Sequence, residues 1–116
     1  MDSTTAKEVD RQLFKYLNER DMDAVDHWID EYIAEDFINH SPHFGEATDK
    51  NGFKELFKKF AEFGMTIEQH EMVFEDDVLC FRNTVHIEGK PVSTGIAMGK
   101  FRGGKMIERW AITQAL

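Results

Sequence analysis

The chain has 116 residues, 41% of them hydrophobic with 10 Phe, which is enough for one core and one domain spanning 1–116. A net charge of −8 argues against nucleic acid, whose phosphates need a clustered positive surface. One cysteine excludes an intrachain disulfide and a Cys-based zinc site.

The N-terminal Met1-Asp2-Ser3-Thr4-Thr5 lacks a basic stretch followed by an apolar one, and no window approaches a membrane span. The expectation is a cytoplasmic protein with no membrane partner. Thr5-Ala6-Lys7-Glu8 fits a capping box for a first helix carrying Val9, Leu13, Tyr16 and Leu17 at helical spacing and ending near Asn18. Asp21 or Asp23 caps a second helix with the stripe Val25, Trp28, Ile29, Tyr32 and Ile33. A short apolar step, Phe37-Ile38, runs into Asn39-His40-Ser41-Pro42, where the proline disfavours helix. A third helix buries Phe53, Leu56, Phe57 and Phe60, with Gly64 past its end. Its Lys50, Lys54 and Lys58 share one face, read as solvated.

From Thr66 the hydrophobic period changes to two. Strands are expected over 66–75, 78–88, 92–101 and 105–115, with turns at Glu75-Asp76-Asp77, Glu88-Gly89-Lys90 and Arg102-Gly103-Gly104-Lys105. Three helices followed by an antiparallel meander define an α+β fold, helices on one side of the sheet. The strands are apolar on both faces, as in Leu79, Phe81, Val85 and Ile87 against Val78 and Cys80. A sheet with one wet face alternates more cleanly, so a homodimer through the outer sheet face is expected. Ser93, Gly95, Ala97 and Gly99 put small side chains on one face of their strand, which signals either sharp curvature or room for a ligand.

Three stretches, in this order, resemble the SnoaL-like polyketide cyclase group within the nuclear-transport-factor-2-like class of cone folds. They are Glu35-Asp36-Phe37-Ile38-Asn39-His40-Ser41-Pro42, the pair Gly52-Phe53, and Gly104 through Gln114 with Arg109-Trp110 at its centre. The resemblance implies a cone-shaped curved antiparallel sheet closed by the three helices, with a pocket between sheet and helices and dimerisation on the outer face. It further implies cyclase or isomerase chemistry on carbonyl-bearing, largely apolar molecules. The chain departs from the group where it matters for that chemistry. Ala111 stands where cyclases carry an acid after the tryptophan, Arg109 where a histidine is usual, and Gly99 where an aspartate is common.

Candidate residues follow from these placements. The resemblance points His40 into the cone, where an imidazole suits removal of a proton α to a carbonyl. A structural histidine in the turn is the competing reading. Asn39 either donates to a developing enolate or closes that turn. Arg109 shares a face with Ile107, Ala111 and Thr113, and on a pocket wall it binds a carboxylate or stabilises an oxyanion; otherwise it forms an ion pair along the strand. Trp28, Tyr32, Met98 and Trp110 are candidate apolar pocket walls, although such stripes are more often core. Arg82 and His86 lie on one face of their strand and are further ligand contacts if the register permits. His40, His43 and Glu46 invite a metal reading, but Pro42 breaks the helix that would align them, so neither metal nor cofactor is expected. The expected ligand is a small apolar molecule. The expected function is an acid–base isomerase, cyclase or dehydratase acting on it, with two rivals: a non-catalytic binding protein, or an interaction module using the outer sheet.

Overall fold

The computed structural model describes residues 1–40 and 48–116. Helix α1 (Ser3–Asn18) and helix α2 (Met22–Tyr32) lead into strand β1 (Ile33–Asn39). Helix α3 (Lys50–Glu62) and the strands β2 (Met65–Glu75), β3 (Val78–Ile87), β4 (Lys90–Arg102) and β5 (Lys105–Ala115) complete the chain. The helices pack on one face of a curved five-stranded sheet, ordered β1-β5-β4-β3-β2, that does not close. All its pairings are antiparallel except β1–β5.

The first two helices start at aspartates, each satisfying an otherwise orphaned amide. Asp2 accepts from Thr5 N at 2.7 Å, so α1 begins at Ser3, ahead of the capping box expected at Thr5. Asp21 caps α2 through Ala24 N at 3.2 Å. Helix α3 ends in a turn in which Gly64 takes φ +71°, a conformation open to glycine at little cost. The three hairpins turn on residue pairs with positive φ, Asp76-Asp77, Glu88-Gly89 and Gly103-Gly104. Two-residue turns of that hand match the twist of the strands they join.

Two expectations need correction. Ile33 belongs to a strand, not to the second helix, and that strand precedes α3, so the helices are not followed by a simple meander. Strand β1 runs parallel to β5, with Asn39 opposite Arg109. The polar run Glu35-Asp36 on this edge strand masks the two-residue period. The lysine face of α3 is also less free than expected. Lys50 Nζ donates to Glu35 Oε1 at 3.0 Å, and Lys54 Nζ meets Asp30 Oδ1 at 2.6 Å, tying α3 to β1 and α2.

The core lies between the helices and the inner sheet face. Phe57 is fully buried and its ring lies 4.9 Å from Phe53, 5.4 Å from Phe60 and 5.7 Å from Phe14 by centroids. These tilted and edge contacts join α1 and α3 to the sheet, where Phe81 packs 5.5 Å from Phe14. Asn18 fixes the far end of α1 to β2, donating to Ile67 O at 2.9 Å and accepting from Ile67 N at 2.8 Å. No helix among the described residues is long and apolar enough to cross a membrane.

Candidate functional site

A cavity of about 260 Å³ opens between the inner sheet face and the helices. Its walls are mostly apolar, from Phe14 of α1, Phe60 of α3 and Ile67, Val85, Ala111 and Ala115 of the sheet. Among the described residues four side chains add polarity: Asn83, Ser93, Arg109 and Thr113. A mostly apolar wall with a few convergent polar groups is the usual make-up of a small-molecule site.

Among the described residues Arg109 is the one charged residue on this wall. It is 8% exposed, and its Cζ lies 5.6 Å from the Phe53 ring centroid. Alternation along β5 turns Arg109, Ala111 and Thr113 inward together. Among the described residues no carboxylate comes within 4.0 Å of the guanidinium. Burial lowers its pKa to about 10, and the charge of Asp10 resists that shift. The group stays cationic at neutral pH on a mostly apolar wall.

Asp10, on the buried stripe of α1, is 2% exposed and does not line the cavity. Its Oδ2 accepts from Gln69 Nε2 at 2.8 Å. Burial pushes the carboxyl up to about 6, although the Gln69 hydrogen bond and the charges of Arg109 and Arg11 pull it down. The sequence reading passed over Asp10. The signal was present, because Asp10 sits four residues after Ala6 and seven before Leu17 on the stripe that also carries Leu13 and Phe14. A lone acid at core spacing marks a carboxyl forced out of water.

The other candidate residues fall elsewhere. Ser41, Pro42, His43 and Glu46, which entered the motif and metal readings, lie outside the described residues. Among the described residues no group of three His, Cys, Asp or Glu side chains is placed to hold a metal. His40 does not point into the cone. Its Nε2 lies 3.0 Å from Glu108 Oε2, and its ring stacks on Trp110 with centroids 5.2 Å apart. Glu108 and Trp110 flank Arg109 in β5, so this cluster sits on the opposite, outer face. Asn39 is buried beside Arg109 in register, its backbone paired with Thr48 and its Oδ1 without a partner among the described residues.

Met98 and Trp110 face each other across β4 and β5 on the outer side and are both exposed. Arg82 is also outside, bound to Glu71 through Nε at 2.9 Å. His86 shares that face of β3 and does not line the cavity. Trp28 is core: its indole N–H donates to Val9 O at 2.8 Å, and Tyr32 packs on it at 5.2 Å between centroids. None of these six walls the cavity, because the strand register and the α1–α2 packing turn them elsewhere.

The small-residue face of β4 is also explained. A Cβ at Gly95 would lie 2.5 Å from Ile112 O, and one at Gly99 would lie 2.7 Å from Met106 Cε. These glycines admit β5 at close range. Ser93 alone of that row lines the cavity.

An open-cone α+β domain with an internal cavity is the class that this geometry defines. Residues 11–109 match the SnoaL-like domain, and the chain belongs to that family. Among curated proteins none matches the sequence significantly. Among solved structures, IdmH of Streptomyces antibioticus, a candidate polyketide cyclase, is 21% identical with a TM-score of 0.73, covering 93% of this chain and 91% of its own. A candidate isomerase of the SnoaL-like family from Agrobacterium tumefaciens is 14% identical with a TM-score of 0.81, covering 96% and 98%. A candidate polyketide cyclase from Acidithiobacillus ferrooxidans is 21% identical with a TM-score of 0.71, covering 94% and 87%. At these identities the likeness establishes the fold.

Proposed function

We propose that the cavity binds a small, largely apolar carbonyl compound and promotes enolate-type isomerisation or cyclisation, with Arg109 holding the carbonyl oxygen while water takes the α-proton and later returns one to carbon. The observation that carries this reading is the buried guanidinium on the cavity wall with no carboxylate within 4.0 Å among the described residues. A buried cation is costly to maintain, and it stabilises negative charge developing on an adjacent oxygen far better than it would in water. The cyclase and isomerase structures of similar fold support the same chemistry as a family expectation.

Acetophenone in D₂O tests this reading. NMR should show its methyl protons exchanging faster with the protein than in buffer, and Arg109→Met should remove about 10²–10³-fold of that acceleration. The second reading, a non-catalytic binder, draws on the cavity walls, which among the described residues carry no carboxylate or imidazole to take a proton. Acetophenone that shifts the amide resonances of cavity residues, while exchanging no faster than in buffer, would establish the binder instead.

We infer also that a second copy of the chain covers the outer sheet face. Val73, Ile96, Met98, Trp110 and Ile112 are all exposed there, and cross-strand register makes Met98 and Trp110, and Ile96 and Ile112, direct neighbours. A contiguous apolar patch on a surface that includes its own partner residues suits a two-fold interface.

A further inference from the structure

The enolate reading employs Arg109 and leaves Asp10 without a task. Asp10 is the one ionisable group on the buried stripe of α1, and its carboxylate is held by Gln69 of β2. Gln69 in turn stands opposite Asn83, which lines the cavity. Asp10 and Arg109 act on each other through the protein interior, yet no nitrogen–oxygen contact within 4.0 Å joins them. The Asp10 charge therefore offsets that of Arg109 without a direct ion pair, and among the described residues no carboxylate occupies the guanidinium donors. Such an arrangement has a consequence for what enters. A carboxylate ligand would add a second negative charge near a guanidinium whose charge Asp10 already offsets, whereas a neutral carbonyl accepts the same hydrogen bonds and adds none.

Resting on the cavity reading above, we propose that Asp10 is a positioning residue that sets the charge preference of the site, so that the cavity takes a neutral carbonyl compound over its carboxylate counterpart. The guanidinium touches the ligand oxygen, and Asp10, which does not line the cavity, stands further back. Attraction at short range thus exceeds repulsion at longer range as charge develops on the oxygen. What Asp10 removes is surplus affinity for an anion already formed, which would hold the ground state and slow turnover.

Benzamide and benzoate form a suitable probe pair, nearly identical in shape and differing by one charge. Titrations of the whole protein at pH 8 would be followed by the amide shifts of Ser93, Ala111 and Thr113. The wild type should bind benzamide more tightly than benzoate. Asp10→Asn keeps the shape and an oxygen for Gln69, and it should tighten benzoate by about tenfold or more while leaving benzamide within about twofold, since one pKa unit of interaction is a factor of ten. A role for Asp10 in packing alone would move both affinities together and would overturn the proposal. Tighter binding of benzoate by the wild type would overturn it without any variant, which covers the case of an Asp10→Asn protein that fails to fold. If neither probe shifts the cavity amides, the cavity reading itself fails and takes this proposal with it. Shifts with an unchanged affinity ratio would refute the role of Asp10 alone.

Discussion

Arg109 and its two neighbours, Glu108 and Trp110, are adjacent in sequence, yet the sheet places them in different surroundings. Arg109 turns inward to the cavity, and burial lowers its pKa. Glu108 and Trp110 turn outward to meet His40, at 34% side-chain and 36% residue exposure respectively. The inner face buries the charged groups Asp10 and Arg109, so their charges carry large electrostatic consequences. The outer face holds exposed ion pairs such as Arg82–Glu71 and Arg102–Asp36 beside an apolar patch, and its electrostatics are screened. A two-residue period assigns residues to faces, and the face then decides what the same chemistry is worth.

Apolar side chains give the largest expected contrast between the faces. Phe57 is fully buried against three other phenylalanines, so Phe57→Ala should cost about 3–5 kcal/mol in urea unfolding. Ile112 is 72% exposed on the outer face, so Ile112→Lys should change the stability of the single chain by no more than about 0.5 kcal/mol. The same variant should convert a dimer into a monomer by sedimentation, because it buries an ammonium in the inferred interface. A wild type that sediments as a monomer at micromolar concentration would remove that inference and leave the patch exposed.

The next contrast in size is electrostatic. Asp10 has a pKa of about 6 in the folded chain against 3.8 unexposed to the fold, so the native state binds the extra proton between those values. Stability should be greatest below pH 4 as far as this group is concerned, and should decline as pH rises through about 6, by on the order of 3 kcal/mol. Above that range the contribution is flat. Asp10→Asn should abolish this slope in denaturation midpoints measured from pH 4 to 7, while exposed outer-face carboxylates such as Glu71 should produce no such decline. Glu71 has its pKa lowered by the Arg82 hydrogen bond, the opposite sign.

Much of the fold was legible because long periodic segments carried it. The three helices and the four strands of the meander follow from apolar spacing and from turn pairs such as Gly103-Gly104. Strand β1 was not legible, because its partner β5 lies some 70 residues away and a parallel edge pairing leaves little local trace. The site was legible only in part. Arg109 follows from alternation on β5, but Asp10 was hidden as one acid on a helix that otherwise reads as amphipathic. His40 was placed by its motif, and a motif does not say which face of a sheet edge a side chain takes.

His40 supplies the smallest expected effect and the sharpest check on the division between faces. Its imidazole meets Glu108 at 3.0 Å and lies nearly parallel to the Trp110 indole, with about a third of each of the paired side chains open to solvent. A pair so exposed contributes about 0–1 kcal/mol, so His40→Ala should lower stability by less than about 1 kcal/mol and alter the fluorescence of Trp110 by unstacking it. Its effect on acetophenone exchange should stay within about twofold, because removing a working general base costs about 10²–10⁴-fold. The two outcomes differ widely enough for a single rate measurement to separate them. A fall of 10²-fold or more, with the fold intact, would mean that the imidazole acts inside the cavity. The partition of β5 into a reactive inner row and an adhesive outer row would then be wrong at the strand end where His40 N–H bonds to Arg109 O. An unchanged rate, together with the loss expected for Arg109→Met, would place the chemistry on the inner row and leave His40 to the outer surface.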